Sequence, residues 1–558
     1  MAGFPWRLMS AISLISSYFV ISHQSEWFKL RLFGAFVGIW SLQVFIWLVW
    51  AVCVYPKLSS PLRDLPEPAG GSWLMGHWKR IRDEPTGIPM RDWVATVPNN
   101  GLIRYLGAFN QERLLITSPK ALAEVLVTKN YDFQKPSTIR FGLGRILGVG
   151  VLLAEGDEHK FQRKNLMPAF SYRHVKDLYP SFWEKGREVV QAMTRSVLAE
   201  ASKQTNSGDV EKARKTSVLE VGGWASRVTL DIIGLSGLGQ DFGAIQDPTT
   251  ELNQVYRDLL QPNKQAQILA ILGLFFPEWV IGLLPIKRNN DINASARFIR
   301  SVCRDLIREK KVKLANKELT SHDILSVALE SGGFTDEELV DQLMTFLAAG
   351  HETTASSMTW AVYMLAKYPE FQTRLRQEVR EKLPPIESDR EVNNVDIDTI
   401  PYLNAVCNEV LRYWAPVPLT LRDTAVDTTI MGQKVPKGTK IVLAPWAVNF
   451  DKALWGPDAN EFNPERWMVK DPEDKRAASG GASSNYAFMT FLHGPRSCIG
   501  QGFAKAEFAC LLASWVGRFE FSLKNQEEWD EKNVEIKGAV TARPANGMYV
   551  HATIVDGW

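Results

Sequence analysis

One cysteine lies in a stretch whose composition suits ligand chemistry. Cys498 belongs to FLHGPRSCIGQGFAKAEFA (491–509), where Gly494, Arg496 and Gly500 are close neighbours and a helix-like run follows. A cysteine just before a helix faces backbone N–H groups, which stabilise a thiolate. Glycines permit tight turns and the close approach of a ligand, and the forked guanidinium of arginine suits a carboxylate. This spacing predicts a reactive or ligand-binding thiolate.

Three chemical roles are open to this cysteine. A nucleophilic cysteine needs a base, and His493 is near, but no catalytic asparagine or aspartate pattern accompanies it. A structural cysteine does not need two glycines and an arginine around it. A thiolate that binds a haem iron, with Arg496 paired to a haem propionate, uses all of these residues. We favour this third role for Cys498.

The remaining cysteines show no pattern of a shared site. They are scattered, and no C-x-x-C pair occurs. The odd total of five argues against a disulfide framework and a zinc site and is typical of a reducing compartment. We expect the three that lie in helix-like segments to be buried as small hydrophobic side chains: Cys303, Cys407 and Cys510.

A long helix with an unusual centre must position a second group. Residues 335–367 begin with a Thr-x-x-Glu capping box and stop before a proline. The centre, AGHETT (349–354), combines a glycine with hydroxyls, which are poor inside a buried helix. Such an inconsistency often marks a functional site. Ala349 and Gly350 would let a flat ligand lie against the backbone, and Thr353 would hold a water or polar ligand atom. A kink without chemistry is the alternative.

An uncharged N-terminal stretch indicates a membrane anchor. Residues 32–55 carry no charge, and about 20 apolar residues span a bilayer core. A signal peptide or a buried helix is the alternative, but a signal peptide has a shorter apolar core and a cleavage site. Within the N-terminal segment 1–31, the run 8–22 is either a second short span or an interfacial helix. The proline- and glycine-rich residues 56–72 predict a semi-rigid hinge.

The remainder, residues 73–558, is expected to form one large, mostly helical domain. The net charge is +2 without a long basic run, so nucleic-acid binding has no electrostatic basis. Prolines and a glutamate interrupt the apolar run 267–286, which predicts a surface hairpin that dips into the membrane rather than a span. A buried helix pair is the alternative. The polar stretches 200–215 and 476–485 are predicted surface loops.

The cysteine loop resembles the haem loop of the cytochrome P-450 monooxygenases. F-x-x-G-x-R-x-C-x-G at 491–500 matches that family's signature at every fixed position, and further family motifs follow in the expected order over residues 60–558. The resemblance implies a cytochrome P-450 fold, mainly α with small β-sheets. It places a single large catalytic domain behind an N-terminal membrane anchor. The pattern is similar to that of fungal microsomal members.

The resemblance also implies which residues contact the haem. The centre of the long helix resembles the family's oxygen-binding groove, with Glu352 and Thr353 as its acid and alcohol. The family often has W-x-x-x-R in an early helix, whereas this chain has His159 and Arg163 there. A histidine can still donate to a propionate. The implied haem-contact residues are His159, Arg163, Ala349, Gly350, Arg422, Phe491, Gly494, Arg496, Cys498 and Gly500, with Cys498 as the metal ligand.

A buried charge triad is implied as well. Glu409 and Arg412 resemble the family's E-x-x-R pair, which lies on one helix face, and Arg466 in FNPERW would join them. Trp467 stands where the family commonly has phenylalanine. The E-x-x-R pattern also occurs in EKGR and EDKR, which we expect to be solvated surfaces.

The implied chemistry is oxygen insertion. Haem b, held by the Cys498 thiolate, favours O–O cleavage, and O2 is the co-substrate. Thr353, with Glu352 behind it, would help to deliver protons. Electrons would come from NADPH through a separate NADPH-cytochrome P-450 reductase, with cytochrome b5 as an optional donor. The implied location is the endoplasmic reticulum membrane with the catalytic domain in the cytosol, where the sequon at Asn293 would stay unmodified.

The substrate residues follow from family alignment alone. They are mostly apolar, which suggests a lipophilic substrate reached from the bilayer, and ordinary core residues are the alternative. These residues are Phe346, Val417, Leu419, Thr420, Ala539 and Val540.

The favoured function is hydroxylation or epoxidation in fungal secondary-metabolite biosynthesis. A lipid, fatty-acid or xenobiotic hydroxylase is an alternative within the same class. A reductase-independent haem-thiolate isomerase or dehydratase is another, against which Thr353 argues because such relatives typically alter the groove alcohol. A membrane-tethered haem carrier or sensor would leave the Glu352–Thr353 pair unexplained.

Overall fold

The expectation of a mainly α-helical protein with small β-sheets is confirmed. The computed structural model describes residues 5–23, 31–203, 215–260, 265, 268–269, 272–273, 276, 278–318, 323–468, 479–537 and 540–558. The α-helices are α1 (Trp6–Ser22), α2 (Leu32–Val49), α3 (Trp78–Asp83), α4 (Ile88–Thr96), α5 (Pro119–Ala123), α6 (Ser137–Leu147), α7 (Gly156–Leu166), α8 (Tyr172–Val175), α9 (Tyr179–Lys203), α10 (Val221–Ile232), α11 (Glu251–Leu260), α12 (Glu278–Leu283), α13 (Lys287–Ala315), α14 (Ile324–Glu330), α15 (Asp336–Lys367), α16 (Pro369–Lys382), α17 (Asn394–Asp398), α18 (Pro401–Tyr413), α19 (Pro445–Val448), α20 (Lys452–Trp455) and α21 (Gln501–Arg518). The strands are β1 (Leu102–Leu106), β2 (Glu112–Ile116), β3 (Phe133–Gln134), β4 (Thr216–Glu220), β5 (Thr420–Thr424), β6 (Thr428–Ile430), β7 (Gln433–Val435), β8 (Lys440–Leu443), β9 (Phe519–Leu523), β10 (Ile536–Lys537), β11 (Arg543–Pro544) and β12 (Tyr549–Ile554).

The first of two compact units comprises residues 1–134 and 419–447. It contains a five-stranded sheet in the order β1-β2-β8-β5-β3. The β2–β8 pair is parallel and the other neighbours are antiparallel. The rings of Trp93 and Tyr105 lie 4.7 Å apart in a buried cluster with Val442. Apolar burial against the sheet therefore gives this unit a core of its own.

The predicted anchor is longer than expected. A π-helical segment continues α2, and the combined helix Leu32–Ser59 is long and apolar enough to cross a membrane. Pro56 has no N–H to donate to the helix, but the wider π-helical turn pairs residues five apart, as the bond from the Ser60 N–H to the Tyr55 carbonyl at 2.9 Å shows. The Val52 carbonyl also accepts from Asn110 Nδ2 at 2.9 Å. The helix therefore continues past the proline and takes up the first residues of the predicted hinge.

The second unit comprises residues 135–418 and 448–558 and is built around α15. The predicted helix at 335–367 is confirmed, including its capping box. The Glu338 N–H bonds to the Thr335 hydroxyl, and the Glu338 carboxylate accepts from the Thr335 N–H at 2.7 Å. Helices α10, α13 and α21 pack on α15. The three-stranded sheet β4-β12-β9 and the ribbon β10-β11 complete the unit.

Several sequence predictions fall wholly or partly outside the described residues. They are the surface loops 200–215 and 476–485, the apolar run 267–286, the EDKR motif at 473–476 and the substrate residue Ala539.

Candidate active site

The cysteine loop is a tight turn at the start of α21. The Cys498 N–H donates to the Phe491 carbonyl at 2.8 Å and closes the loop. Gly494 has a φ of 75°, a left-handed conformation that favours glycine, as the tight turn predicts. Leu492 also has a positive φ, of 56°, which is uncommon for a residue with a side chain. The backbone thus holds Cys498 directly before the helix.

Gly500 does not follow the tight-turn explanation. Its φ of −86° is ordinary, and an added Cβ would lie 3.8 Å from the Phe170 ring, a normal contact. The turn therefore requires a glycine at position 494 and not at position 500. For Gly500, close approach of a ligand is the reason that is left from the sequence analysis.

The Cys498 thiol is accessible although protein surrounds it. All five cysteines are described, and Cys498 is the exposed one. Desolvation raises the pKa of its thiol, while a bond from the Gly500 N–H and the charge of Arg163 lower it. A residue that is exposed and yet surrounded by protein lies in a concave position, where a ligand can reach its thiol. The three cysteines predicted to be buried are buried: Cys303, Cys407 and Cys510.

Helix α7 braces the residue next to the cysteine. Arg163 Nη1 donates to the Ser497 carbonyl at 2.7 Å, and Nη2 donates to the Ser497 hydroxyl at 3.2 Å. His159, one turn earlier on α7, is buried. The predicted His159–Arg163 pair therefore lies on a helix that contacts the cysteine loop through Arg163.

Arg496 has a carboxylate partner that the sequence analysis missed. Its Nη2 forms an ion pair with Oε2 of Glu155, and both side chains are buried. The other oxygen of Glu155 accepts from the Lys135 N–H at 2.8 Å. No motif distinguishes this glutamate in the sequence, since it simply precedes α7. The pairing shows that the surroundings of Arg496 accommodate a carboxylate, which is the group that a haem propionate presents.

Arg422 belongs to the first unit. It is buried on β5, where Nη1 donates to the Leu421 carbonyl at 2.7 Å and to the Thr420 hydroxyl at 3.0 Å. Leu419 packs against the core of the same unit. The predicted haem residue Arg422 and the predicted substrate residues Leu419 and Thr420 are therefore neighbours there.

The centre of α15 has an open strip in a buried helix. Thr353 Oγ1 donates to the Ala349 carbonyl at 2.8 Å, and residues four apart share a helix face. The strip therefore leaves space beside α15 at the predicted groove. Within residues 342–366, four escape full burial: Ala348, Ala349, Gly350 and Thr353.

Gly350 has a packing role in this strip. An added Cβ would come within 2.9 Å of the Ile233 side chain, which is too close for any side chain to be accepted without a shift. Close packing of α15 on the π-helical turn Ile233–Leu238 is therefore one reason for a glycine at this position, beside the flat ligand that the sequence predicts. Ala349, in contrast, is exposed on the open face.

Glu352 is held by a segment far away in the sequence. Its Oε1 accepts from the Thr541 hydroxyl at 2.9 Å and lies 3.2 Å from Arg543 Nη1. The intervening Ala542 carbonyl accepts from Ser356 Oγ at 2.8 Å and from the Trp360 indole at 3.0 Å. The C-terminal segment is thus attached along α15. Sequence analysis missed Thr541 and Arg543, because nothing local marks them.

The other predicted substrate residues of the second unit have different degrees of exposure. Phe346 is buried, with its ring 5.4 Å from that of Phe170 in an edge-to-face contact. Val417 is half-buried and Val540 is exposed. Only Phe346 shares α15 with the open strip.

The predicted charge triad is assembled in the core of the second unit. Glu409 and Arg412 are 0% exposed and form a two-pronged pair with both N–O distances at 2.8 Å. Arg466 Nε lies 3.2 Å from the same carboxylate. Trp467 adds a fourth contact, since its indole N–H donates to Glu409 Oε2 at 2.9 Å. The tryptophan that departs from the family pattern is therefore a hydrogen-bond donor to the triad.

Trp467→Phe is expected to lower the free energy of unfolding by about 1.5–3 kcal/mol, the usual worth of a hydrogen bond to a charged group. Thermal unfolding of the full-length protein in detergent measures the change. Trp515→Phe is the matched control, because the Trp515 indole N–H is buried without a partner among the described residues. Equal destabilisation by the two substitutions would contradict a role for the Trp467 hydrogen bond.

An accessible thiol at the start of a helix is a ligand geometry suited to haem iron. Haem also needs cationic partners for its carboxylates, which Arg163 and Arg496 near the thiol can provide. It needs open space as well, which the open strip on α15 can provide. The second unit therefore has the features of a haem-thiolate enzyme.

Comparison with known proteins gives the family. The cytochrome P-450 family profile matches residues 66–549, and the chain belongs to this family. It is 47% identical over 517 residues to the cytochrome P-450 monooxygenase sphH of Aspergillus fumigatus, covering 92% of each chain. It is 45% identical over 562 residues to the monooxygenase FUM15 of Gibberella moniliformis, covering 93% of each. It is 43% identical over 557 residues to the monooxygenase ALT8 of Alternaria alternata, covering 92% of this chain and 93% of the relative. The protein is thus a haem-thiolate monooxygenase that uses haem, O2 and electrons from a redox partner.

Proposed function

We propose that this protein binds haem b through Cys498 and inserts one oxygen atom from O2 into a lipophilic substrate at a fungal endoplasmic reticulum membrane. The observation that carries the proposal is the accessible Cys498 thiol in a loop braced by α7. Haem, when bound there, supplies the activation of O2. The roles of the protein are to hold the cofactor, orient the substrate and handle protons.

The cationic side chains around the cysteine loop would bind the haem. Arg496, whose Nη2 is paired with Glu155, would bind a haem propionate. Arg163 keeps the residue beside Cys498 in place and favours the thiolate by its charge. His159 and Arg422 are proposed as further propionate donors.

The open strip of α15 would provide the residues for proton transfer. Thr353 carries the one hydroxyl among the four accessible positions there, and this hydroxyl is now bonded to the Ala349 carbonyl. A rotation about its Cα–Cβ bond would turn the hydroxyl toward the ligand space, where it can hold and pass a proton. Glu352, paired with Arg543, would supply the charge behind it.

Thr353→Ala is expected to keep haem but to lower the product formed per NADPH about a hundredfold, the lower end of what a proton-transfer group typically contributes. The unproductive electrons should appear as hydrogen peroxide. The measurement compares NADPH consumption, peroxide and product with purified reductase. Thr353→Ser keeps the hydroxyl and should keep most of the coupling. Unchanged coupling in Thr353→Ala would remove this role.

Electron supply and location are the finer parts of the proposal. We propose NADPH-cytochrome P-450 reductase as the donor, with cytochrome b5 as an optional second one, on the cytosolic face of the endoplasmic reticulum. The apolar helix Leu32–Ser59 supports attachment to that membrane. Product formation from an organic hydroperoxide, without NADPH and reductase, would instead indicate an isomerase or dehydratase.

The lipophilic substrate class is proposed from the apolar character of the predicted substrate residues, such as Phe346 and Val417, and the pathway type from relatives that are fungal cytochrome P-450 monooxygenases. A role in secondary metabolism follows as the favoured pathway type. The experiment screens lipophilic compounds, long-chain fatty acids included, by the shift of the Soret band. Compounds that bind are then incubated with NADPH, reductase and isotopically labelled dioxygen. One labelled oxygen atom per product supports the proposal, and label only in water contradicts it.

A further inference from the structure

The two N-terminal helices pack against each other through their polar side. Helix α1 lies along α2, and Ser13 and Ser17 of α1 are 0% exposed in this contact. On α2, Ala35 is 5% exposed, and Gln43 has its Oε1 buried without a partner among the described residues. Small and polar side chains therefore form the seam between the two helices.

The outward faces of the same helices are apolar. Large hydrophobic side chains on both are more than a third exposed, which is far more apolar surface than a soluble protein leaves in water. On α1 these are Trp6, Leu8, Ile12, Leu14, Ile15, Tyr18, Phe19 and Val20, and on α2 they are Leu32, Phe33, Val37, Leu42, Phe45, Ile46, Leu48 and Val49.

This arrangement distinguishes between the two alternatives for residues 8–22. An interfacial helix turns a polar face to water and an apolar face to lipid. Helix α1 has its mid-helix serines against α2 instead, and most of its remaining surface is apolar, with the exposed polar side chains Arg7 and Ser22 near its two ends. Small and polar residues at a helix contact with apolar residues outside are typical of paired membrane spans. The distribution therefore favours a span over an interfacial helix.

The lengths of the two helices agree with this interpretation. Helix α1 has 17 residues and α2 has 18, or about 26 Å and about 27 Å at 1.5 Å per residue. The hydrocarbon layer of the endoplasmic reticulum membrane is about 27 Å thick. Helix α2 matches this thickness, and α1 falls short of it by about 1 Å, a mismatch that slight thinning of the bilayer accommodates.

We propose that residues 6–22 and 32–49 cross the membrane as a helical hairpin sealed by Ser13, Ser17 and Gln43. The chain then begins on the same side as its catalytic units, and the connection between the two helices lies in the lumen. The inference rests on the membrane attachment proposed above. It adds a second membrane helix to the anchor predicted at residues 32–55 and selects the second span from the two alternatives left open for residues 8–22.

The distribution of basic residues agrees with the hairpin. With two crossings, Arg7 joins Lys57 and Arg63 on the catalytic side, and the lumen receives Lys29 and Arg31. With one crossing, Arg7 would lie in the lumen, and the lumenal side would then carry the larger number of basic residues. Basic residues near membrane spans are retained on the cytosolic side, so the hairpin is the better match.

Glycosylation mapping in microsomes tests the hairpin with the full-length chain. Asn293→Gln first removes the native sequon. A glycosylation tag on a flexible spacer is then placed either before Met1 or in the connection between His23 and Arg31. The expected result is a glycan on the connection tag and none on the N-terminal tag. Deletion of residues 5–22 is the internal control, because the N-terminal tag should then move to the lumen and gain a glycan.

Each other outcome has a separate meaning. A glycan on the N-terminal tag of the undeleted chain overturns the hairpin but keeps the single anchor. A protein without glycans that resists carbonate extraction also overturns the hairpin, since its helices would lie on the cytosolic surface. Release by carbonate overturns both the hairpin and the proposed membrane attachment. None of these readouts depends on haem or on turnover.

Discussion

Cys498→His is expected to abolish the red-shifted Soret band of the reduced, carbon monoxide-treated protein together with all reductase-dependent turnover. The thiolate pushes electron density to the iron and favours O–O cleavage, whereas a neutral imidazole does not. The loop holds Cys498 by its own backbone, through the bond to Phe491, so the substitution should alter the ligand and leave the fold. The reduced carbon monoxide difference spectrum of membranes from expressing cells measures the effect.

Cys303→Ala is the matched control for this experiment. Cys303 is a buried cysteine of α13, and burial raises the pKa of its thiol to about 12, so it has neither access to a ligand nor thiolate character near neutral pH. The band should survive in this variant. A wild-type protein without the red-shifted band, or a band that persists in Cys498→His, would show that Cys498 is not the proximal ligand.

Glu409→Ala is expected to leave little folded, haem-loaded protein. It removes the carboxylate that pairs with the fully buried Arg412 and also bonds Arg466 and Trp467. A buried charge that loses its partner costs about 3–5 kcal/mol, a large part of the roughly 5–15 kcal/mol that stabilises a typical domain. The yield of soluble protein and the ratio of haem to protein measure the loss.

Glu184→Ala is the control with the same sequence pattern. Glu184 and Arg187 are also an E-x-x-R pair, with an N–O distance of 3.0 Å, but the Glu184 side chain is 65% exposed. Exposed ion pairs contribute about 0–1 kcal/mol, so yield and haem content should match the wild type. If Glu409→Ala retained haem as well as Glu184→Ala does, the buried triad would not be needed for assembly.

A short stretch of sequence was enough to predict a structural feature when that feature depends only on neighbouring residues. The Thr-x-x-Glu capping box predicts the first turn of α15, because both bonding groups lie within one helical turn. The left-handed φ of Gly494 likewise follows from a turn between neighbours. The resemblance of the cysteine loop to a known haem loop extended these local features to the family, which the comparisons confirm.

Pairings between distant residues were beyond local reasoning. Glu155 meets Arg496 across 341 positions, and Arg543 meets Glu352 from the C-terminal ribbon. Neither partner carries a motif, since any carboxylate or guanidinium in the right place would form the pair. Their identification requires the packed helices.

The amino-acid sequence by itself determined the long central helix, the cysteine turn, the long apolar helix near the N-terminus and the family, because each depends on residues close together in the chain or on a fixed spacing. The tertiary structure alone decided between equivalent patterns. Of the E-x-x-R motifs that it describes, it buried Glu409 and left Glu184 in water, and it turned the serines of α1 toward α2. Burial sets the energy of a charge or a hydroxyl, and burial is a property of the whole fold and not of the motif.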